Sequence, residues 1–410
     1  MISRPAMTRA AVVLAAALIA ACGCTRPGQP VPATPAVSAF DIGHNQIRPL
    51  TPPAGNEQYG RVLESVRMAE TILDPAEVDA ALSKGAAKRT GPVPSPLEAV
   101  GMLAAPVRKV LESHGMLAGY TVTGSDVEIE NVDVGSARLL RVLLLRFPDA
   151  EQARLAARQM DATDAALNPD NVAVLFADYP GAYGHWRPTA PSMAATIANG
   201  SFVISVLAQH TTPDQAVLSG LVHKTFDIQI PRLRTFTATP PDRFAELPLD
   251  QDGMLARLLP YGAGVWQVPT VIADRSDDVA GWASSITPSG VVFGPHGTRL
   301  LKTLEFDAAV ERVAMNDHNF LERFPDAVTA RRVFGAEMRK SQADSGSDTA
   351  APKGVPDAYC GRWTSIPAYW PVQIHCHVLF GRYSATVVGR NITEAHQRAS
   401  AQYLLLVNSA

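Results

Sequence analysis

Short apolar runs and amphipathic stretches alternate along this chain, and their two periods predict its elements. Val62, Val66, Ala69 and Leu73 recur at helical spacing, which predicts a helix over residues 59–73, closed by Pro75. The string SPLE from Ser95 is a helix start: Ser95 can cap, Pro96 suits the first turn and Glu98 completes a capping box. Pro106 should break that helix. Strand-like runs follow at residues 119–123 and 138–145.

One string then occurs almost twice, RFPDAEQAR from Arg146 and RFPDAVTAR from Arg323, with seven of nine residues identical. Each copy follows an apolar run. Pro148 disfavours a helical Phe147 and so ends a strand. Asp149 can accept backbone N–H groups as a cap, with Gln152 three residues on. Ala153, Ala156, Ala157 and Met160 then line one helix face. In the second copy Asp326 takes the capping place, and Ala330, Val333, Phe334 and Met338 supply the stripe. The string thus reads as strand end, cap and first helical turn, a piece of architecture.

Past the string the halves continue alike. Two strand-like runs meet at Asn199-Gly200 in the first half and at Gly381 in the second, and a helix follows each pair. Leu218, Leu221, Val222 and Phe226 face inward in one helix; Ala395, Ala399, Tyr403 and Leu406 do so in the other. The expectation is an α+β protein made by duplication. It has two related β-α-β-β-α (ferredoxin-like) halves, with antiparallel or mixed sheets and helices packed on one side. A Pro- and Thr-rich stretch near residues 231–242 sets the boundary, giving an N-terminal domain over 40–235 and a C-terminal domain over 236–410. Residues 340–356 are polar and aperiodic and read as a mobile, solvent-exposed loop.

The N-terminus reads as an address. Arg4 and Arg9 come before or at the edge of an apolar run over residues 10–21. That run is too short for a bilayer core, which takes about 20 residues, and has the shape of a secretory signal. It ends in IAAC, which resembles a bacterial lipobox. The resemblance implies that residues 1–21 are a cleaved signal peptide and that Cys22 receives a diacylglyceryl thioether, so that acyl chains hold the protein on the membrane. An ordinary cleaved signal is the alternative. Residues 22–39, rich in Pro, Thr and Ala, read as an extended tether, and residues 40–50 as an edge strand of the first domain.

Composition sets limits. Lys and Arg number 36 against 39 Asp and Glu, a formal net charge of −3 without a basic stripe, which argues against a nucleic-acid partner. With 47% apolar and 18% charged residues, the chain has a globular rather than a disordered make-up.

Four cysteines remain to be placed. Cys22 is the lipid site; Cys24 is free or linked elsewhere. Cys360 and Cys376 lie in the second half, in what the signal makes an oxidising compartment, and we expect a disulfide between them. In HCH, strand alternation puts His375 and His377 on one face and Cys376 on the other. Two such histidines could share an ion, but no third or fourth ligand shows in the sequence, and hydrogen-bonded strand histidines are the alternative. No metal and no cofactor is expected. The stretch YPGAYGHWRP reads as a loop whose Tyr183, His185, Trp186 and Arg187 could line a ligand pocket. In the plainer reading Trp186 closes a sheet edge or the junction of the halves, and Arg187 pairs with a carboxylate. YCGRWTSIPAYWP, from Tyr359, is the analogous stretch of the second half. No G-x-S-x-G, S-x-x-K, H-E-x-x-H or Walker A string occurs, so no catalytic residue is named.

The lipobox and tether, with RVLESVRMAETILDPAEVDAAL, LRFPDAEQA, HWRP, FTATPPDRFAELPLDQDGMLARLLP and AHQRASAQYLLLVN, resemble an actinobacterial (mycobacterial and nocardial) family of secreted lipoproteins. Its members carry an N-terminal and a C-terminal domain of unknown function. The likeness runs from about residue 38 to the end. It implies an extracytoplasmic, lipid-anchored location, two related halves and the disulfide, and it carries over no catalytic residue or substrate. The expected function is non-catalytic binding of a small apolar ligand or an envelope protein through the cleft between the halves. The alternatives are an envelope hydrolase with a motif-free active site and a scaffold or sensor partner of membrane proteins.

Overall fold

Two antiparallel sheets carry the fold, and each is built around one copy of the repeated string. The computed structural model describes residues 39–85, 90–128, 133–274, 285–345, 349–362 and 374–409. The signal peptide, Cys22, Cys24 and the tether up to residue 38 lie outside these, as do residues 363–371 of the second aromatic stretch.

The N-terminal half contains helix α1 (Glu57–Met68), strands β1 (Ala118–Ser125) and β2 (Leu139–Arg146) and helix α2 (Ala150–Ala165). Strands β3 (Val172–Val174), β4 (Ala182–Trp186), β5 (Ser192–Asn199) and β6 (Phe202–Gln209) follow, then helix α3 (Gln215–Leu233). The C-terminal half contains β7 (Val291–Phe293), β8 (Arg312–Asn316), β9 (Asn319–Arg323) and helix α4 (Ala327–Ser345). It ends with β10 (Ala358–Arg362), β11 (Ile374–Phe380), β12 (Tyr383–Gly389) and helix α5 (Ile392–Val407). The sheets run β1-β2-β6-β5-β4-β3, with two short strands beside β1, and β7-β8-β9-β12-β11-β10. In both, the strand that ends in the string lies between the strand ahead of it and the last strand of its half.

The α+β class and the two related, sheet-rich halves are as expected. The shared unit is larger than β-α-β-β-α: β1 and β8 precede the string, and the edge-side strands β4 and β10 follow its helix, giving ββαβββα. The string behaves identically in both copies. Phe147 and Phe324 are fully buried. Asp149 accepts the Gln152 N–H at 2.8 Å and Asp326 the Thr329 N–H at 2.7 Å, so each aspartate starts its helix. Gly200 and Gly381 turn the following hairpins at φ +55° and +56°, the left-handed region that a glycine enters without strain.

The helices lie on both faces of each sheet, not on one side. The cause is visible in β2, LLRVLLLR, where all eight residues are buried. Leu143 and Leu145 pack with Ala153, Ala156, Ala157 and Met160 of α2. Leu140, Val142 and Leu144 belong to a second core with Leu218, Val222 and Phe226 of α3. A strand apolar on both faces needs cover on both. In the second half, Ala330 and Val333 of α4 join that same second core, while Ala395, Ala399 and Tyr403 of α5 pack on the other face with Ile374, Cys376 and Val378. One apolar core therefore runs through both halves, carried across by Val62, Val66 and Met68 of α1.

Two further expectations are corrected. Residues 40–50 form no strand in the first half and dock on the second. Phe40 is buried with its ring 5.8 Å from that of Tyr403, Asp41 accepts from Gln397 at 3.1 Å, and Asn408 donates to the Ile47 carbonyl at 2.7 Å. Phe40 thereby joins the cluster between α5 and its sheet. The loop expected over 340–356 is helical at its start, because α4 runs to Ser345, and Thr349 then bridges to Cys360. The Pro-rich stretch near the boundary also packs: Pro241–Glu246 forms a 3₁₀ turn, with Phe244 buried beneath the guanidinium of Arg146 at 5.4 Å.

Candidate functional site

Tyr183, His185 and Trp186 lie on strand β4, not on a loop, so alternation puts Tyr183 and His185 on one face and Trp186 on the other. His185 turns to α2, where Asp161 is 2.8 Å and Asp164 3.6 Å away. Burial lowers the pKa of His185; the two aspartates outweigh it and raise it to about 9. Trp186 is partly buried against the larger apolar core, and Arg187 follows the strand. The four residues are not brought together and line neither of the two clefts below.

The histidines of HCH share a face, as alternation requires, and Cys376 faces α5. Cys360 and Cys376 are directly opposed on β10 and β11 and form a disulfide. Cys360, Cys376 and His396 also come together, but with both sulfurs bonded to each other they have no thiolate to offer a metal.

The larger cleft lies over the C-terminal sheet, about 750 Å³, beneath α4 and the turn at residues 303–307. Its floor comes from successive strands: Glu322 on β9, Tyr359 on β10, His375 and His377 on β11 and Thr386 on β12. Tyr359 stacks on His377 with centroids 4.4 Å apart and planes 5° from parallel, and His375 meets His377 edge-on at 5.2 Å. Burial holds His375 down at about 4; burial and the neighbouring His375 together hold His377 at about 3, so both imidazoles are neutral. The carboxyls move the other way. Burial, then the charges of Glu337 and Asp307, push Glu322 well above the usual range. Burial and then Asp307 raise Glu337 to about 7, against the influence of Lys340. Oε1 of Glu322 is buried and has no hydrogen-bond partner among the described residues. The sequence hid this constellation because its members lie on four strands, a turn and a helix, and only the two histidines are close together in the chain.

Thr386 Oγ1 lies 3.0 Å from His377 Nδ1, a hydroxyl–imidazole pair inside the cleft. A general base must take up a proton near the working pH, and an imidazole held at about 3 does not. The pair is built for fixing the ring rather than for moving a proton.

The second cleft, about 490 Å³, lies where the halves meet. Leu63 and Val66 of α1, with Phe236 and Leu247, face Val292 and Pro295. Its polar residues are engaged within the protein. Arg67 donates to Glu64, to Thr239 and to the Thr237 carbonyl, and its guanidinium lies 5.4 Å from the Phe236 ring. Glu70 accepts the N–H groups of His296 and Gly297 at 3.2 and 2.8 Å, and Arg312 pairs with Asp252 at 2.6 Å. Leu63, Val66, Phe236, Leu247 and Val292 leave apolar wall for a guest, beside Thr235, Thr237 and Gln251.

No curated protein matches the chain. Among solved structures, the extracellular domain of PknH from Mycobacterium tuberculosis is matched over 47% of this chain and 100% of that one, at 13% identity. The TM-score of 0.28 is too low for any argument to pass between them. The family model described as Domain of unknown function (DUF7373) N-terminal matches residues 51–249, and the one described as Domain of unknown function (DUF7373) C-terminal matches residues 254–409. The first match carries residues 236–249 with the N-terminal half, on whose helix α1 the 3₁₀ turn packs. The chain therefore belongs to the DUF7373 family and carries its N-terminal and C-terminal domains in order.

Proposed function

We propose that this protein is a cell-envelope lipoprotein of the actinobacterial kind its sequence resembles. In this reading Cys22 carries the lipid, the body stands on the outer face of the plasma membrane, and the cleft at the junction of the halves binds a small amphipathic ligand without reacting with it. The junction cleft is the observation that carries the binding role. Its volume of about 490 Å³ falls in the range of small-molecule sites, roughly 300–1,000 Å³, and its charged residues Arg67, Glu70 and Arg312 already have partners within the protein. A guest would gain by covering Leu63, Val66, Phe236 and Val292. The envelope location rests on the apolar run before Cys22, and the Cys360–Cys376 disulfide suits an oxidising compartment. No helix among the described residues is long and apolar enough to cross a membrane, and in this reading the anchor is lipid.

Native mass spectrometry of protein taken from envelopes tests the binding role. We expect an added small mass that is lost in Thr237→Trp, where a large ring from an exposed rim position fills the cleft. A protein bare in both forms would sink the reading, and a mass kept in both would move the ligand elsewhere. For the anchor, Cys22→Ser should leave the membrane fraction; unchanged partition would overturn it.

A further inference from the structure

The cleft of the C-terminal half plays no part in that reading, yet it holds a buried carboxyl that its surroundings serve only in part. Glu322 is 6% exposed and lines the cleft, and its Oε1 finds no donor among the described residues. Ser384 stands opposite it on β12, and its hydroxyl, beside the carboxyl, offsets part of the upward shift without reaching Oε1. An acceptor left in this state is destabilising, and a donor from outside would recover that loss. Around it the charges do not cancel in its favour. Asp307 and Glu337 add negative charge from the turn and from α4. The two imidazoles are neutral and offer no cation. The cations on the wall are Lys340, which pairs with Glu305 at 2.6 Å, and Arg362. Apolar surface accompanies the acids: Phe306 and Phe320 meet edge-on at 5.9 Å, and Tyr359 lies on the floor.

We propose that this cleft binds a small organic cation, an ammonium or guanidinium group on a short apolar stem, with the cation at Glu322 and the stem against Phe306, Phe320 and Tyr359. An N–H donor satisfies Oε1, and its charge favours the ionised form of carboxyls that burial and one another otherwise hold towards their neutral acids. Aromatic faces and edges beside a cation add to the attraction. Binding favours the ionised acids and so releases protons. The groups that face Glu337 are Asp307, Glu322, Lys340 and Tyr359; Glu337 loses its proton at about 7 and Glu322 is raised well above the usual carboxylate range, so affinity rises as pH passes about 7.

Isothermal titration of the purified protein with n-butylammonium and n-butylguanidinium tests the proposal, with n-butanol as the uncharged control. We expect saturable binding of at least one cation at pH 8, at least tenfold weaker at pH 5.5. Glu322→Gln and Glu337→Gln should each weaken it at least tenfold, with circular dichroism confirming the fold. If Glu322→Gln fails to fold, Glu337→Gln carries the test. Thr237→Trp, in the other cleft, should leave the isotherm unchanged, so failure here and failure of the junction-cleft reading are separate results. No saturable binding at pH 8, equal binding of n-butanol, or unaltered binding by Glu337→Gln would each overturn it.

Discussion

Arg146 and Arg323 hold the same place in the two copies of the string, and each grips the chain that joins the halves. Arg146 donates to the Thr239 carbonyl and to Glu64 Oε1, both at 2.5 Å, and Arg323 donates to Asp252 at 3.0 Å. The settings differ. Glu64 has no exposed side-chain surface, whereas Asp252 is 41% exposed. Losing one partner of a buried pair strands a charge, at about 3–5 kcal/mol, while exposed pairs contribute about 0–1 kcal/mol. Arg146→Ala should therefore destabilise by several kcal/mol and Arg323→Ala by less than about 1 kcal/mol, read from denaturant unfolding. Equal losses would contradict the asymmetry.

The caps make the opposite comparison. Asp149 and Asp326 serve their helices with the same geometry, so Asp149→Ala and Asp326→Ala should each cost about 1 kcal/mol. Serine at either position should restore most of the loss. Urea unfolding curves of the four variants decide it.

The disulfide joins residues 16 apart across neighbouring strands. A cross-link closing a loop of about 15 residues contributes roughly 3 kcal/mol by restricting the unfolded chain. Reductant should lower the stability of the native protein by about that much and leave a Cys360→Ser, Cys376→Ser double variant unmoved. A double variant that still responds to reductant would point to a different bond.

His185 gives the protein an alkaline weakness. Its folded pKa, about 9, exceeds the unfolded value of about 6.5, so its ion pair stabilises fully below that value and the benefit fades as pH rises through 9. The loss should reach at most roughly 3 kcal/mol. Comparing unfolding at pH 6 and pH 10, the wild type should fall by that amount relative to His185→Gln. A constant difference would show that Asp161 and Asp164 do not hold the proton.

The periodic signals were strong where one residue type had one structural use. Proline, aspartate and glycine located the strand ends, caps and hairpin turns of both halves, and the stripes on α2, α3 and α5 named the buried faces. Two kinds of information were missing. A fully apolar strand such as β2 does not say which helix covers which face, so α2 and α3 were expected together and lie apart. Long-range docking leaves no local trace either. Residues 40–50 are apolar enough for an edge strand, and nothing in their order shows that Tyr403 and Gln397 receive them. The C-terminal cleft was illegible for the same reason: Glu322, Glu337 and Asp307 look like surface carboxylates until the sheet and α4 bring them under one roof. Tyr183, His185, Trp186 and Arg187 looked like a cluster because they are neighbours in sequence, and strand geometry separates what adjacency suggested.

The strap beginning at Phe40 sets the order in which the molecule can be finished. Its hydrogen bonds to Gln397 and Asn408 span 356 and 361 residues, nearly the whole body. A ribosome makes the strap among the earliest residues of that body and its seat on α5 last. A chain stopped short of α5 therefore leaves Phe40 exposed, so early termination can be detected at the opposite end of the polypeptide from where it occurred.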